Sequence, residues 1–97
     1  MDDPYVDLAR LREVCVRYGI ARLQIFGSVA RGEALPSSDV DVLYELEPGV
    51  RLGWEIEDLN EELSGLFGRP VDLVSKKALH PLLRETVLTE SRPLYAA

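Results

Sequence analysis

Leu23-Gln-Ile-Phe-Gly-Ser-Val-Ala-Arg-Gly-Glu-Ala-Leu-Pro-Ser-Ser-Asp-Val-Asp-Val-Leu-Tyr-Glu-Leu46 is the stretch around which the chain is organised. It reads as an apolar strand, a Gly27-Ser28 turn opening a short helix, a polar loop, and a second strand carrying Asp39 and Asp41. Strand side chains alternate between faces, so Asp39 and Asp41 are expected on one side, roughly 6.6 Å apart along the chain. Two carboxylates held that close repel unless a proton or a cation lies between them. The turn just upstream is rich in backbone amides and ends in a helix start, a combination that suits an anion. A cation site facing an anion site points to metal-bound phosphate chemistry.

The 97 residues suffice for one domain, 1–97, with a modest core. Hydrophobic residues at 46% and charged residues at 29% fit an ordinary soluble globular protein. No run approaches the ~20 apolar residues of a membrane span, and the acidic N-terminus does not resemble a signal peptide. Cys15 is the only cysteine and cannot pair within the chain, so a reducing cytoplasm is the expected compartment. The net charge of −6, from 17 acidic and 11 basic residues, argues against direct polynucleotide binding. An acidic domain can instead bind a nucleotide through metal ions or dock on a basic protein.

Working outward, Asp3-Pro4 predicts the start of a first helix, with Leu8, Leu11, Cys15 and Tyr18 at helical spacing and Gly19 as its stop. Ile20 to Phe26 reads as a buried strand, Val29 to Gly32 as one helical turn, and Glu33 to Ser38 as loop. Val40 to Leu46 is the second strand. From about Arg51 to Phe67 a helix is expected, its stripe formed by Leu52, Ile56, Leu59, Leu63, Leu66 and Phe67. Gly68 ends it, and Val71 to Val74 forms a third short strand. Lys76 and Lys77 follow in a turn. Pro81 starts a last helix to about Glu90, with Leu79, Leu82, Leu83, Val87 and Leu88 as its apolar set. Arg92 to Tyr95 reads as extended. Helices alternating with short strands predict an α/β (α+β) fold: a small mixed sheet of three to four strands flanked by helices.

Asp72 lies between Val71 and Leu73 and is expected to point away from both. If the third strand pairs beside the second, Asp72 meets Asp39 and Asp41 on one face. Three carboxylates form an all-oxygen set suited to Mg²⁺ or Mn²⁺. Two such ions ~3.5–4 Å apart stabilise both the attacking and the leaving oxygen of a phosphoryl displacement. Asp-x-Asp alone is more often a solvated strand face, and Gly-Ser alone a plain turn. Their order, with a third strand carboxylate downstream, carries the argument.

An apolar strand ending in Gly27-Ser28, then Asp39-Val40-Asp41, then Val71-Asp72-Leu73 resembles the nucleotidyltransferase superfamily that includes DNA polymerase β. Gly-Ser-Val-Ala-Arg-Gly followed by Ser-Asp-Val-Asp-Val is similar to the minimal nucleotidyltransferase (MNT) domains, over nearly the whole chain. The resemblance implies the nucleotidyltransferase fold, with Gly27 and Ser28 on the nucleotide triphosphate and Arg31 and Ser38 assisting. It implies that Asp39 and Asp41 bind two Mg²⁺ ions, with Mn²⁺ as a substitute. Asp72 would share the ion near the attacking hydroxyl and help to activate it. The implied reaction moves a nucleoside monophosphate, AMP from ATP, to a hydroxyl and releases pyrophosphate.

The resemblance further implies an antitoxin of type VII-like systems, which AMPylates a tyrosine of a HEPN-domain toxin and assembles with it. Two other readings stand beside it: a binding module that silences the toxin by occlusion, and transfer to a small hydroxylated molecule. Three mutually repelling aspartates speak against an idle site, and the lack of room for a substrate domain speaks against the small molecule. Outside the motif, His80 reads as a helix-start residue, Cys15 as core, and Lys76 and Lys77 as a solvated turn. Trp54 falls off the apolar stripe and is expected either at a partner surface or against the adjoining loop.

Overall fold

The computed structural model describes residues 6–33, 35 and 38–97. Helix α1 (Leu8–Tyr18) starts where the Asp7 carboxylate accepts from the N–H groups of Ala9 and Arg10, at 3.0 and 3.3 Å. The Asp3-Pro4 start expected from sequence lies outside the described residues. Gly19, in the left-handed conformation, ends the helix by donating its N–H to the Cys15 and Val16 carbonyls. Leu11, Val14 and Cys15 are buried, whereas Leu8, in the first turn, is exposed.

Strand β1 (Ile20–Phe26) follows directly, and the single turn α2 (Gly27–Ala30) continues from its end. Strand β2 (Val40–Leu46) pairs antiparallel with β1. A register shift between Ile20 and Arg22 breaks the strict alternation, and Ile20, Leu23 and Ile25 are all buried. Helix α3 (Glu55–Phe67) then crosses to β3 (Val71–Ser75), which pairs parallel with β2. A parallel neighbour needs such a crossover because a tight turn cannot make one.

A 3₁₀ turn (Lys76–Ala78) leads to α4 (Pro81–Glu90), and β4 (Arg92–Ala96) returns antiparallel beside β1. The sheet order is β3-β2-β1-β4, so the expected small mixed sheet has four strands. Leu11, Cys15, Leu23, Val40, Val42, Leu59 and Leu63 form the centre of the core beneath α1 and α3. Burying a side chain of this kind stabilises by about 1.5–3 kcal/mol, which is what fixes the sheet against the two helices. Glu62 ties those helices together: its carboxylate accepts from Tyr18 Oη at 2.6 Å and Arg17 Nη1 at 2.7 Å.

The helical turn expected over Val29 to Gly32 spans Gly27–Ala30 instead, and expectations also shift at α3 and α4. Helix α3 begins at Glu55 rather than near Arg51, because turns closed by Ile56 N–H on the Gly53 carbonyl and Glu57 N–H on the Trp54 carbonyl precede it. The apolar set of α4 is only partly used: Leu79 is buried and Val87 and Leu88 are half-buried, but Leu82 and Leu83 face outward. Its anchorage lies at the C-terminal end, where Ser91 Oγ accepts from Gln24 Nε2 and Glu90 meets Arg31. Among the described residues no helix is long and apolar enough to cross a membrane.

Candidate active site

The site forms where β1 ends and β2 begins. Antiparallel register sets Phe26 opposite Asp41, and parallel register sets Asp41 opposite Asp72. Gly27, Asp41 and Asp72 are thereby brought together from three parts of the chain. Gly27 has φ +76°, and a Cβ there would collide with Oδ2 of Asp41 and sit 3.2 Å from its Cγ. Only glycine admits both that backbone and that approach.

Asp39 departs slightly from expectation: it precedes β2 instead of belonging to it, and is exposed. It still acts on Asp41. Partial burial pushes the Asp41 carboxyl above its ordinary value, the charges of Asp72 and then Asp39 add to this, and Arg31 opposes them. Asp39, Asp41 and Asp72 therefore share one electrostatic neighbourhood. Among the described residues no three Asp, Glu, His or Cys side chains close into a ready cage around a single ion. The donor set is nevertheless all carboxylate oxygen, and the crowding that hinders ionisation of Asp41 is what a hard divalent cation relieves. The residues fit Mg²⁺ or Mn²⁺.

Ser28 is half-buried within α2, and its carbonyl accepts from the Glu33 N–H at 2.9 Å. Arg31 follows α2 and is held by Glu33 at 2.8 Å and Glu90 at 3.4 Å, so it must exchange partners to reach a phosphate. Ser38 braces the loop ahead of Asp39: its Oγ accepts from the Leu35 N–H at 2.9 Å, and its N–H donates to the Leu35 carbonyl.

The weaker readings resolve simply. His80 caps α4, its Nδ1 accepting from the Leu82 N–H at 3.1 Å. Lys76 pairs with Glu45 at 3.5 Å. Cys15 is fully buried. Trp54 is 86% exposed, and it lines a cleft of about 690 Å³ that also reaches Asp72. Sequence reasoning missed this cleft and the Glu90 contact to Arg31. Both depend on how helices settle on the sheet, and no local pattern announces that.

The nucleotidyltransferase domain family matches residues 8–95, with the Gly27-Ser28 and Asp39-Asp41 motif inside the match. The chain belongs to that family. Among relatives of this nucleotidyltransferase, protein adenylyltransferase MntA of Thermococcus cleftensis is 43% identical over 82 residues, 84% of this chain and 82% of that protein. A solved structure provisionally described as a minimal nucleotidyltransferase is 44% identical, with a TM-score of 0.72 over 92% of this chain and 97% of that one. The fold also recurs, at TM-score 0.65 and 16% identity over 93% of this chain and 70% of that one, in a complex of a tri-AMPylated Shewanella oneidensis HEPN toxin with MNT antitoxin.

Proposed function

We propose that this nucleotidyltransferase moves AMP from ATP to a tyrosine hydroxyl of a HEPN-domain toxin and thereby acts as the toxin's antitoxin. The observation that carries the reading is the register Phe26–Asp41–Asp72, which groups the Gly27 turn with two carboxylates and leaves Asp39 two residues away. The 43% identical relative is named a protein adenylyltransferase, which supports a protein acceptor.

In this reading Gly27 and Ser28 hold the triphosphate, Gly27 by close backbone approach and Ser28 by its hydroxyl or amide. Arg31 and Ser38 assist after leaving their present partners. Asp39 and Asp41 would hold two Mg²⁺ ions, and Asp72 would share the one on the acceptor side. When bound, the ions neutralise charge on the phosphates and on the attacking and leaving oxygens. Asp72 orients the acceptor hydroxyl and accepts its proton as the new bond forms. The hydroxyl oxygen bonds to the α-phosphorus, the bond from that phosphorus to the β-bridging oxygen breaks, and pyrophosphate leaves with the electron pair. The chain's contribution is positioning and fixed charge.

A cell assay separates transfer from occlusion. Asp39→Asn should still bind the toxin but fail to rescue cells that express it. Full rescue by Asp39→Asn would make the protein a stoichiometric inhibitor.

A further inference from the structure

The outer edge of β3 is closed at one point and open at the next. At Val71 the N–H donates to Ser64 Oγ at 3.1 Å, and the carbonyl accepts from Asn60 Nδ2 at 2.8 Å. Helix α3 thus satisfies the edge there. Backbone groups alternate in direction along a strand, so those of Asp72 face β2 and those of Leu73 face outward again. Among the described residues no side chain closes the edge at Leu73. An edge left in this state is a template for another strand.

That open segment lines the cleft between β3 and α3. Asp72 and Leu73 of β3 line one side, Glu57, Asp58 and Glu61 of α3 the other, and the exposed Trp54 also lines it. Among the described residues no lysine or arginine lines it. Shape, charge and an exposed aromatic coincide beside the carboxylate assigned to the acceptor. The helix's outward acids explain nothing about the core, and Trp54 buries little against its own chain.

We infer that a basic, extended segment of the partner protein adds to β3 at Leu73, lies between the acids of α3 and Trp54, and thereby delivers its hydroxyl to Asp72. The inference rests on the transfer reading for the fate of the hydroxyl, but the docking stands on the edge and the cleft. Main-chain bonds to Leu73 supply register, the carboxylates select positive side chains, and Trp54 supplies an apolar anchor.

The probe is an acetylated, amidated peptide of alternating lysine and valine with one central tyrosine; its counterpart has glutamate in place of lysine. Binding of the lysine peptide should change the fluorescence of Trp54, the chain's single tryptophan. It should slow hydrogen exchange at the Leu73 amide at least about tenfold while leaving the Val71 amide, already bonded, unchanged. Leu73→Pro deletes the edge donor at a position where an outer strand tolerates proline, and should weaken binding about tenfold. Glu57→Gln with Glu61→Gln should weaken it about fivefold. Equal affinity for the glutamate peptide, or no protection of Leu73 in the wild type, overturns the inference; the second result holds even if Leu73→Pro fails to fold. AMP transfer to the toxin with Leu73 unprotected overturns the docking and leaves the transfer reading intact. Protection of Leu73 by the toxin without any AMP transfer does the reverse.

Discussion

The Asp41 carboxylate occupies the space that a side chain at Gly27 would need: a Cβ there collides with Oδ2 of Asp41. The glycine of the turn is therefore a requirement of the neighbouring carboxylate in its own right. Gly27→Ala is expected to cost about 1–2 kcal/mol from the left-handed backbone alone and to displace Asp41. Denaturant unfolding should show the loss, and calorimetry should show weakened binding of both Mn²⁺ and a non-hydrolysable nucleotide. Gly27→Val in consequence does not isolate phosphate approach, since its side chain would also displace Asp41. Unchanged metal affinity in a folded Gly27→Ala protein would separate the two residues.

Asp41 should also betray its neighbours through stability. Its carboxyl is raised by burial and by Asp72 and Asp39, so the folded state binds its proton more readily than the unfolded chain does. Stability from this group is present at low pH and falls as pH rises from the ordinary carboxylate value through the raised one. Asp41→Asn should remove that component and stabilise the metal-free protein at pH 7. With the group partly exposed and screened, the gain is about 0.5 kcal/mol. The same variant should lose metal binding, and retention of Mn²⁺ would count against the assigned site.

Glu62 provides the opposite sign. The Tyr18 hydroxyl first, and Arg17 second, hold its carboxyl below the ordinary value. Its contribution is present above the unfolded value and is lost as pH falls through the lowered one. Glu62→Gln and Tyr18→Phe should each lower the melting temperature at pH 7 by roughly 2–4 °C, with a smaller difference near pH 3. Equal losses at both pH values would mean that charge plays no part in the link between α1 and α3.

Cys15 gives a check on the core. It is fully buried, and burial pushes its thiol up to about 12. The folded protein should not react with an aromatic disulfide reagent at pH 8, and reaction should appear only with unfolding. Rapid labelling under native conditions would show that α1 does not seat on the sheet as described.

The sequence was most legible where chemistry and local geometry coincide. Gly27-Ser28, Asp39-Val40-Asp41 and Val71-Asp72-Leu73 announce turn and strands by residue type, and the pairing of β3 beside β2 brings Asp72 to Asp41 as that pattern predicts. Cys15 and the α3 stripe were legible through helical period, with Leu59, Leu63 and Phe67 buried. Leu8, Leu82 and Leu83 were misplaced because period tells which face is apolar, not how far the partner element extends over it. The Leu73 edge was invisible for a related reason. Whether a backbone group is satisfied depends on register and on side chains such as Asn60 and Ser64, contributed from a distant helix.

Intact-mass spectrometry of a HEPN toxin, after incubation with the protein, ATP and Mg²⁺, decides whether the proposed site transfers AMP to a partner's tyrosine. One or more additions of about 329 Da each are expected, mapping to tyrosine and absent with Asp39→Asn or Asp72→Asn. A toxin that binds the protein, is inhibited by it and keeps its original mass would rule transfer out.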